Sequence, residues 1–188
     1  VTWLASQGRW LPGDALRLVV AASVPLAGAV AGGPSAAAML LTLGGAMALR
    51  FARVPTVTDL VGQAVLLASA WFAVTGAYEV VPWLDVAAHV GSGAVLALLT
   101  RDVLLQLRLV PAEPGQRDAV ARVLHVTSAV VVLGLLWELG EWAGHALLTE
   151  TIRVGYEDTL TDLLADGAGA LAAAVVAERV AAPRRAVR

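Results

Sequence analysis

Val126-Thr127-Ser128-Ala129-Val130-Val131-Val132-Leu133-Gly134-Leu135-Leu136-Trp137-Glu138-Leu139-Gly140-Glu141-Trp142-Ala143-Gly144-His145 is an apolar run long enough to cross a bilayer as a helix, and it carries two carboxylates and an imidazole towards its end. At 3.6 residues per turn, positions 138, 141 and 145 share one face, so the three polar side chains point the same way. An ionised acid at the centre of a membrane helix costs roughly 2.5 to 3.5 kcal/mol on a translocon scale, so two on one face need partners.

The rest of the chain is built in the same way. Of its 188 residues 59% are hydrophobic and 15% charged, a balance of an integral membrane protein rather than a soluble domain. Cysteine is absent, which removes disulfides, thiolate ligands and thiol nucleophiles. The segment Val1 to Gly13 holds no apolar core ending at a small-residue cleavage site, so a cleaved signal is not expected. Apolar segments bounded by Pro, Gly or charge lie at about Asp14 to Gly32, Pro34 to Phe51, Val57 to Ala77, Trp83 to Leu105, Ala119 to Leu148 and Asp158 to Ala181. The prediction is an all-α polytopic membrane protein, a single domain of six transmembrane helices. Gly32-Gly33-Pro34 is so short a connection that the first two helices must form an antiparallel hairpin. Tyr78 to Pro82 is expected as a short loop, and Arg108 to Arg117, with Pro111-Ala112-Glu113-Pro114-Gly115, as the longest one.

Arginine distribution sets the expected orientation, because basic residues near spans stay in the cytoplasm. With the N-terminus inside, twelve of the thirteen arginines fall on the cytoplasmic side and Arg153 alone falls outside. Both termini are then cytoplasmic, in a bacterial cytoplasmic (inner) membrane. Nine acids, Glu79, Asp85, Glu138, Glu141, Glu150, Glu157, Asp158, Asp162 and Asp166, sort to the outer half with almost no basic residue to neutralise them.

Asp85 and His89 stand at i and i+4 on the fourth span, and Asp158, Asp162 and Asp166 at i, i+4 and i+8 on the sixth, so each set makes one polar stripe. His89, Asp166 and Glu138 lie of the order of 10 Å below the outer helix ends. Stripes at matched depth meet only if these helices pack together, and Gly140 with Gly144, Gly91, Gly93, Gly167 and Gly169 offer close-approach positions. Carboxylates with a few imidazoles and no basic partner are the ligand set of a divalent cation such as zinc, manganese or iron. The candidate ligands are His89, Glu138, Glu141, His145, Asp162 and Asp166, with Asp85 or Asp158 as general base on a metal-bound water. The rival reading is a set of protonated acids sharing hydrogen bonds. Asp85 and Asp158 also begin helices, where a carboxylate caps free N–H groups. His125 is about 20 Å from Glu138 along the helix and is read as an interfacial residue, as are Trp83, Trp142 and Tyr156. Asp59 and Gln63 read as a structural pair at an inner helix end.

Four blocks, Leu84-Asp85-x-x-x-His89-x-x-x-Gly93, Leu99-Thr100-Arg101-Asp102-Val103-Leu104-Leu105, Trp137-Glu138-x-x-Glu141-Trp142, and Asp158-Thr159-x-x-Asp162 with Gly169-Ala170, resemble the YjdF-like family of bacterial inner-membrane proteins over about the second half of the chain. The resemblance implies a polytopic membrane protein and brings no mechanism. Glu157 stands where such proteins typically have Trp before the Asp-Thr pair, and Asp102 where they usually have Glu.

No phosphate-binding Gly-rich loop, Gly-x-Ser-x-Gly elbow, His-Glu-x-x-His or basic aromatic patch for nucleic acid is present. The functional expectations are therefore a metal-dependent enzyme on a lipid-like substrate, a cation- or proton-coupled transporter, or an accessory subunit whose acidic pocket is structural. A transporter would need a through-path, and the charged stripe stops after His89 on the fourth span and after Asp166 on the sixth.

Overall fold

A computed structural model describes residues 9–112, 115–150, 152 and 154–186, with side chains described as far as residue 181. Arg153 and Arg188, and the side chains of Arg184 and Arg185, which enter the orientation argument, lie outside the described residues. The helices are α1 (Gly13–Ala31), α2 (Gly33–Phe51), α3 (Thr56–Thr75), α4 (Ala77–Val80), α5 (Trp83–Gln106), α6 (Gln116–Leu147) and α7 (Tyr156–Ala186). Among the described residues there is no strand, and all but the four-residue α4 are long and apolar enough to span a membrane. The six expected spans are present with ends shifted by at most three residues, apart from the C-terminal continuation of α7 to Ala186. The short α4 falls where a plain loop was expected.

The chain divides into two compact units, Val1–Ala77 and Tyr78–Arg188. In the first, α1, α2 and α3 pack on one another. The α1–α2 hairpin turns on Gly32, whose φ of 85° and ψ of −175° belong to a region open in practice only to glycine, and Pro34 then starts α2. Val20, Ala27, Met39, Ala46 and Leu49 form the apolar interior. At the end where α1 begins, α2 ends and α3 begins, a polar knot is buried. Arg17 donates from Nε to the Ala46 carbonyl at 3.0 Å, from Nη1 to Asp14 at 3.0 Å and from Nη2 to Asp59; Arg50 donates to Asp14, and Gln63 to Asp59 at 3.1 Å and to the Gly13 carbonyl at 3.2 Å. The Asp59–Gln63 pair is thus part of a larger network whose two acids and two arginines balance in charge, as buried ions require.

In the second unit α7 packs against both α5 and α6. Its closest approach is to α5, and glycines make it. A Cβ on Gly93 would meet the backbone of Asp166, and one on Gly169 the backbone of Val90, so each helix lays a glycine on the main chain of the other. Gly140 faces open space and Gly144 faces the Ile152 side chain, so the small-xxx-small pair expected on α6 is not a helix–helix contact. Below this crossing Ala97, Val126, Val130, Ala170 and Ala174 form an apolar core.

Candidate metal centre

The reciprocal Gly93 and Gly169 contacts fix what stands beside them. His89 precedes Val90, and Val90 lies on Gly169; Asp166 lies on Gly93. The imidazole of α5 is thereby held against the acid stripe of α7. His89 Nε2 is 3.9 Å from Asp85 Oδ1 and 3.7 Å from Asp162 Oδ2, while Nδ1 is 3.4 Å from Asp166 Oδ1. The first two distances are too long for hydrogen bonds. Asp85, His89 and Asp162 each offer a ligand atom within 4.8 Å of the other two. Asp162 and Asp166 are buried, whereas the Asp85 side chain is 31% exposed, so the group opens on its Asp85 side.

The α6 acids surround this group. Glu138 is buried and accepts a hydrogen bond at 2.7 Å from the Thr159 hydroxyl of α7. Glu141 is within electrostatic reach of Glu138, His89, Asp162 and Asp158. Gly134, one turn before Glu138, leaves room for the Asp166 carboxylate: a Cβ there would come within 2.8 Å of Asp166 Oδ2. His145 goes elsewhere. Its Nδ1 lies 2.7 Å from the Ile152 carbonyl oxygen, in the α6–α7 connection, outside the Asp85–His89–Asp162 group. His125 Nδ1 lies 2.7 Å from the Ala121 carbonyl of its own helix.

Thr159 is the site residue that the acid and histidine pattern does not single out. Its hydroxyl is neutral and is no metal-ligand type, although its place in Asp158-Thr159-x-x-Asp162, one turn before Asp162, marks it. Thr159→Val keeps the shape and removes the donor, leaving Glu138 buried without it. The expected cost is about 1–3 kcal/mol, read as a lower thermal midpoint in detergent, with Thr159→Ser close to wild type. A Thr159→Val midpoint equal to wild type would show that Glu138 is satisfied from elsewhere.

The other end of this unit has its own ion network. Glu178 of α7 accepts from Arg101 of α5 at 2.9 Å and from Arg122 of α6 at 2.6 Å, and Arg122 also donates to the Pro111 carbonyl at 2.8 Å. The apolar core of Ala97, Val126, Val130, Ala170 and Ala174 separates it from the acid cluster along the helices.

Six apolar helices, acids and a histidine gathered inside one three-helix unit, and arginine networks at helix ends define a polytopic helical membrane protein. The family described as "Predicted membrane protein (DUF2238)" matches residues 15–182, and the chain belongs to it. No curated protein and no solved structure matches the chain.

Proposed function

We propose that the second unit binds one divalent cation, zinc, manganese or iron, through Asp85, His89 and Asp162, and that the ion serves a hydrolytic reaction on a lipid-like substrate. The observation that carries this reading is the spacing about His89 Nε2. Two ligands at about 2.1 Å from one tetrahedral ion stand roughly 3.4 Å apart. Separations of 3.7 and 3.9 Å between Nε2 and two carboxylate oxygens are close to that value and unlike hydrogen bonds. The other ring nitrogen supports the same reading: with Asp166 3.4 Å from Nδ1, an Nδ1–H can point to that carboxylate while Nε2 faces the ion, as in carboxylate–histidine–metal arrangements. Asp166 then orients the ring rather than ligating.

Three protein ligands leave a position for water or substrate, where a bound ion lowers the pKa of water. With Asp85 among the ligands, Asp158 remains as the acid to take a proton, one turn before Asp162. Glu138, held by Thr159, and Glu141 add negative charge that favours a dication. Exposed Trp83 and Val86 flank Asp85, and exposed Trp142 follows Glu141, which suits a substrate arriving from the bilayer. The arginine asymmetry supports cytoplasmic termini in a bacterial inner membrane, with this site on the opposite side. The YjdF-like resemblance falls within the matched residues 15–182 and agrees with the family.

Purified protein should carry a near-equimolar divalent metal by elemental analysis, or take one up on titration. Asp162→Asn and His89→Ala should abolish it. Asp166→Asn should weaken it roughly 10–100-fold, as loss of an orienting carboxylate does. Wild-type protein that neither contains nor binds zinc, manganese or iron overturns the reading and leaves a structural acid cluster.

A further inference from the structure

Four described residues have positive φ: Gly32, Gly76, Arg53 and Arg108. Gly76 closes α3 as a left-handed residue, where glycine is the usual choice, and Gly32 closes α1 in the extended positive-φ region that glycine alone enters readily. Arg53 and Arg108 follow the C-termini of α2 and α5 with φ of 55° and 59°, values that a residue with a Cβ adopts only at a cost.

Both turns have the same hydrogen bonds. After α2, Arg53 N–H donates to the Arg50 carbonyl at 3.1 Å and Val54 N–H to that of Leu49 at 3.4 Å; after α5, Arg108 N–H donates to Leu105 at 3.2 Å and Leu109 N–H to Leu104 at 2.9 Å. Each is a Schellman closure with arginine at the position that glycine occupies most often. The backbone gains nothing from arginine there.

Both arginines are exposed, and exposed apolar residues flank them: Phe51 and Val57 about Arg53, Leu107 and Leu109 about Arg108. At a bilayer surface that pattern places guanidinium among phosphates and the apolar groups among acyl chains. Both turns cap helices that the chain can lay across a membrane, and each is within its own three-helix unit.

We propose that the turns after α2 and α5 are phospholipid-headgroup sites in which Arg53 and Arg108 hold the phosphate of an anionic lipid. Guanidinium presents a planar fork that matches two phosphate oxygens, and anionic lipids concentrate in the leaflet that juxtamembrane basic residues face. This inference is independent of the metal site.

The test exploits the glycine preference of the turn. Thermal midpoints are measured from tryptophan fluorescence in a neutral detergent alone, with added phosphatidylcholine, with added phosphatidylglycerol, and with inorganic phosphate. Phosphatidylglycerol should raise the wild-type midpoint above that in phosphatidylcholine. Arg53→Gly with Arg108→Gly should lose roughly 4–8 °C of that gain, yet equal or exceed wild type in detergent alone, because glycine relaxes the left-handed backbone. Arg53→Gln with Arg108→Gln should lose the same gain without relaxing the backbone. An undiminished gain in the variants overturns the proposal. So does a lower midpoint of the glycine variant in detergent alone, which would make the arginines parts of the fold. An equal gain from inorganic phosphate would overturn the assignment to lipid.

Discussion

Gly93→Ala and Gly169→Ala are each expected to destabilise the second unit by about 3 kcal/mol, at the upper end of what overpacking costs. The added methyl would strike main-chain atoms of the facing helix, Asp166 for Gly93 and Val90 for Gly169, and backbone cannot step aside as the tip of a flexible side chain can. The helices must separate, and α5 and α7 carry His89, Asp162 and Asp166. If the proposed metal centre is right, divalent-metal affinity should therefore fall together with stability, although neither glycine offers a ligand atom. Gly140→Ala is the internal control: its Cβ would enter open space in a helix interior, where alanine is favoured over glycine by roughly 0.5–1 kcal/mol. Thermal midpoints in detergent should drop by roughly 6–12 °C for the first two substitutions and hold or rise for the third. If Gly93→Ala and Gly140→Ala behaved alike, the backbone contact between α5 and α7 would not be what holds the site together.

That contrast also measures what the chain discloses before it folds. Apolar length, proline and glycine breaks are local, and they located six helices, because a membrane span must satisfy its backbone within itself. The stripes Asp85–His89 and Asp158–Asp162–Asp166 were legible for the same reason: helical spacing alone puts them on one face. Which face meets which helix is not local. Gly140 and Gly144 have the spacing of a packing motif, but α6 turns Gly140 to open space and sets Gly144 against Ile152. His145 has the spacing to join Glu138 and Glu141, but α6 ends two residues later and the returning chain presents the Ile152 carbonyl to its ring. The arginines show a second limit. Counted for orientation they stand as surface charges, whereas Arg17 and Arg122 are 5% and 1% exposed, each buried because carboxylates on other helices receive it. Glu178 has no local mark in the sequence, because its two arginine partners lie 77 and 56 residues away.

Glu178 is where the other large effect is expected. Its Oε1 receives Arg101 Nε at 2.9 Å, and its Oε2 receives Arg122 Nε at 3.0 Å and Nη2 at 2.6 Å, so one carboxylate joins α5, α6 and α7. Arg122 also donates to the Pro111 carbonyl and so ties down the α5–α6 connection. Glu178→Ala leaves two guanidiniums without their shared acceptor, and Arg122 is too deeply buried for water to replace it. Removing one partner of a buried ion pair costs about 3–5 kcal/mol, which for a chain of this size is a fall of roughly 10 °C in the thermal midpoint. Glu178→Gln retains an acceptor oxygen but not the charge and should fall between alanine and wild type. Removing the deeply buried pair distinguishes attraction from desolvation: Arg122→Met with Glu178→Leu should be less damaging than Glu178→Ala alone, since the Arg122 cation is then gone and Arg101, the less buried partner, keeps Asp102 at 3.4 Å. A Glu178→Ala protein within about 1 kcal/mol of wild type, the range of exposed pairs, would mean that Arg122 finds water or another carboxylate and that the network does not hold the three helices together.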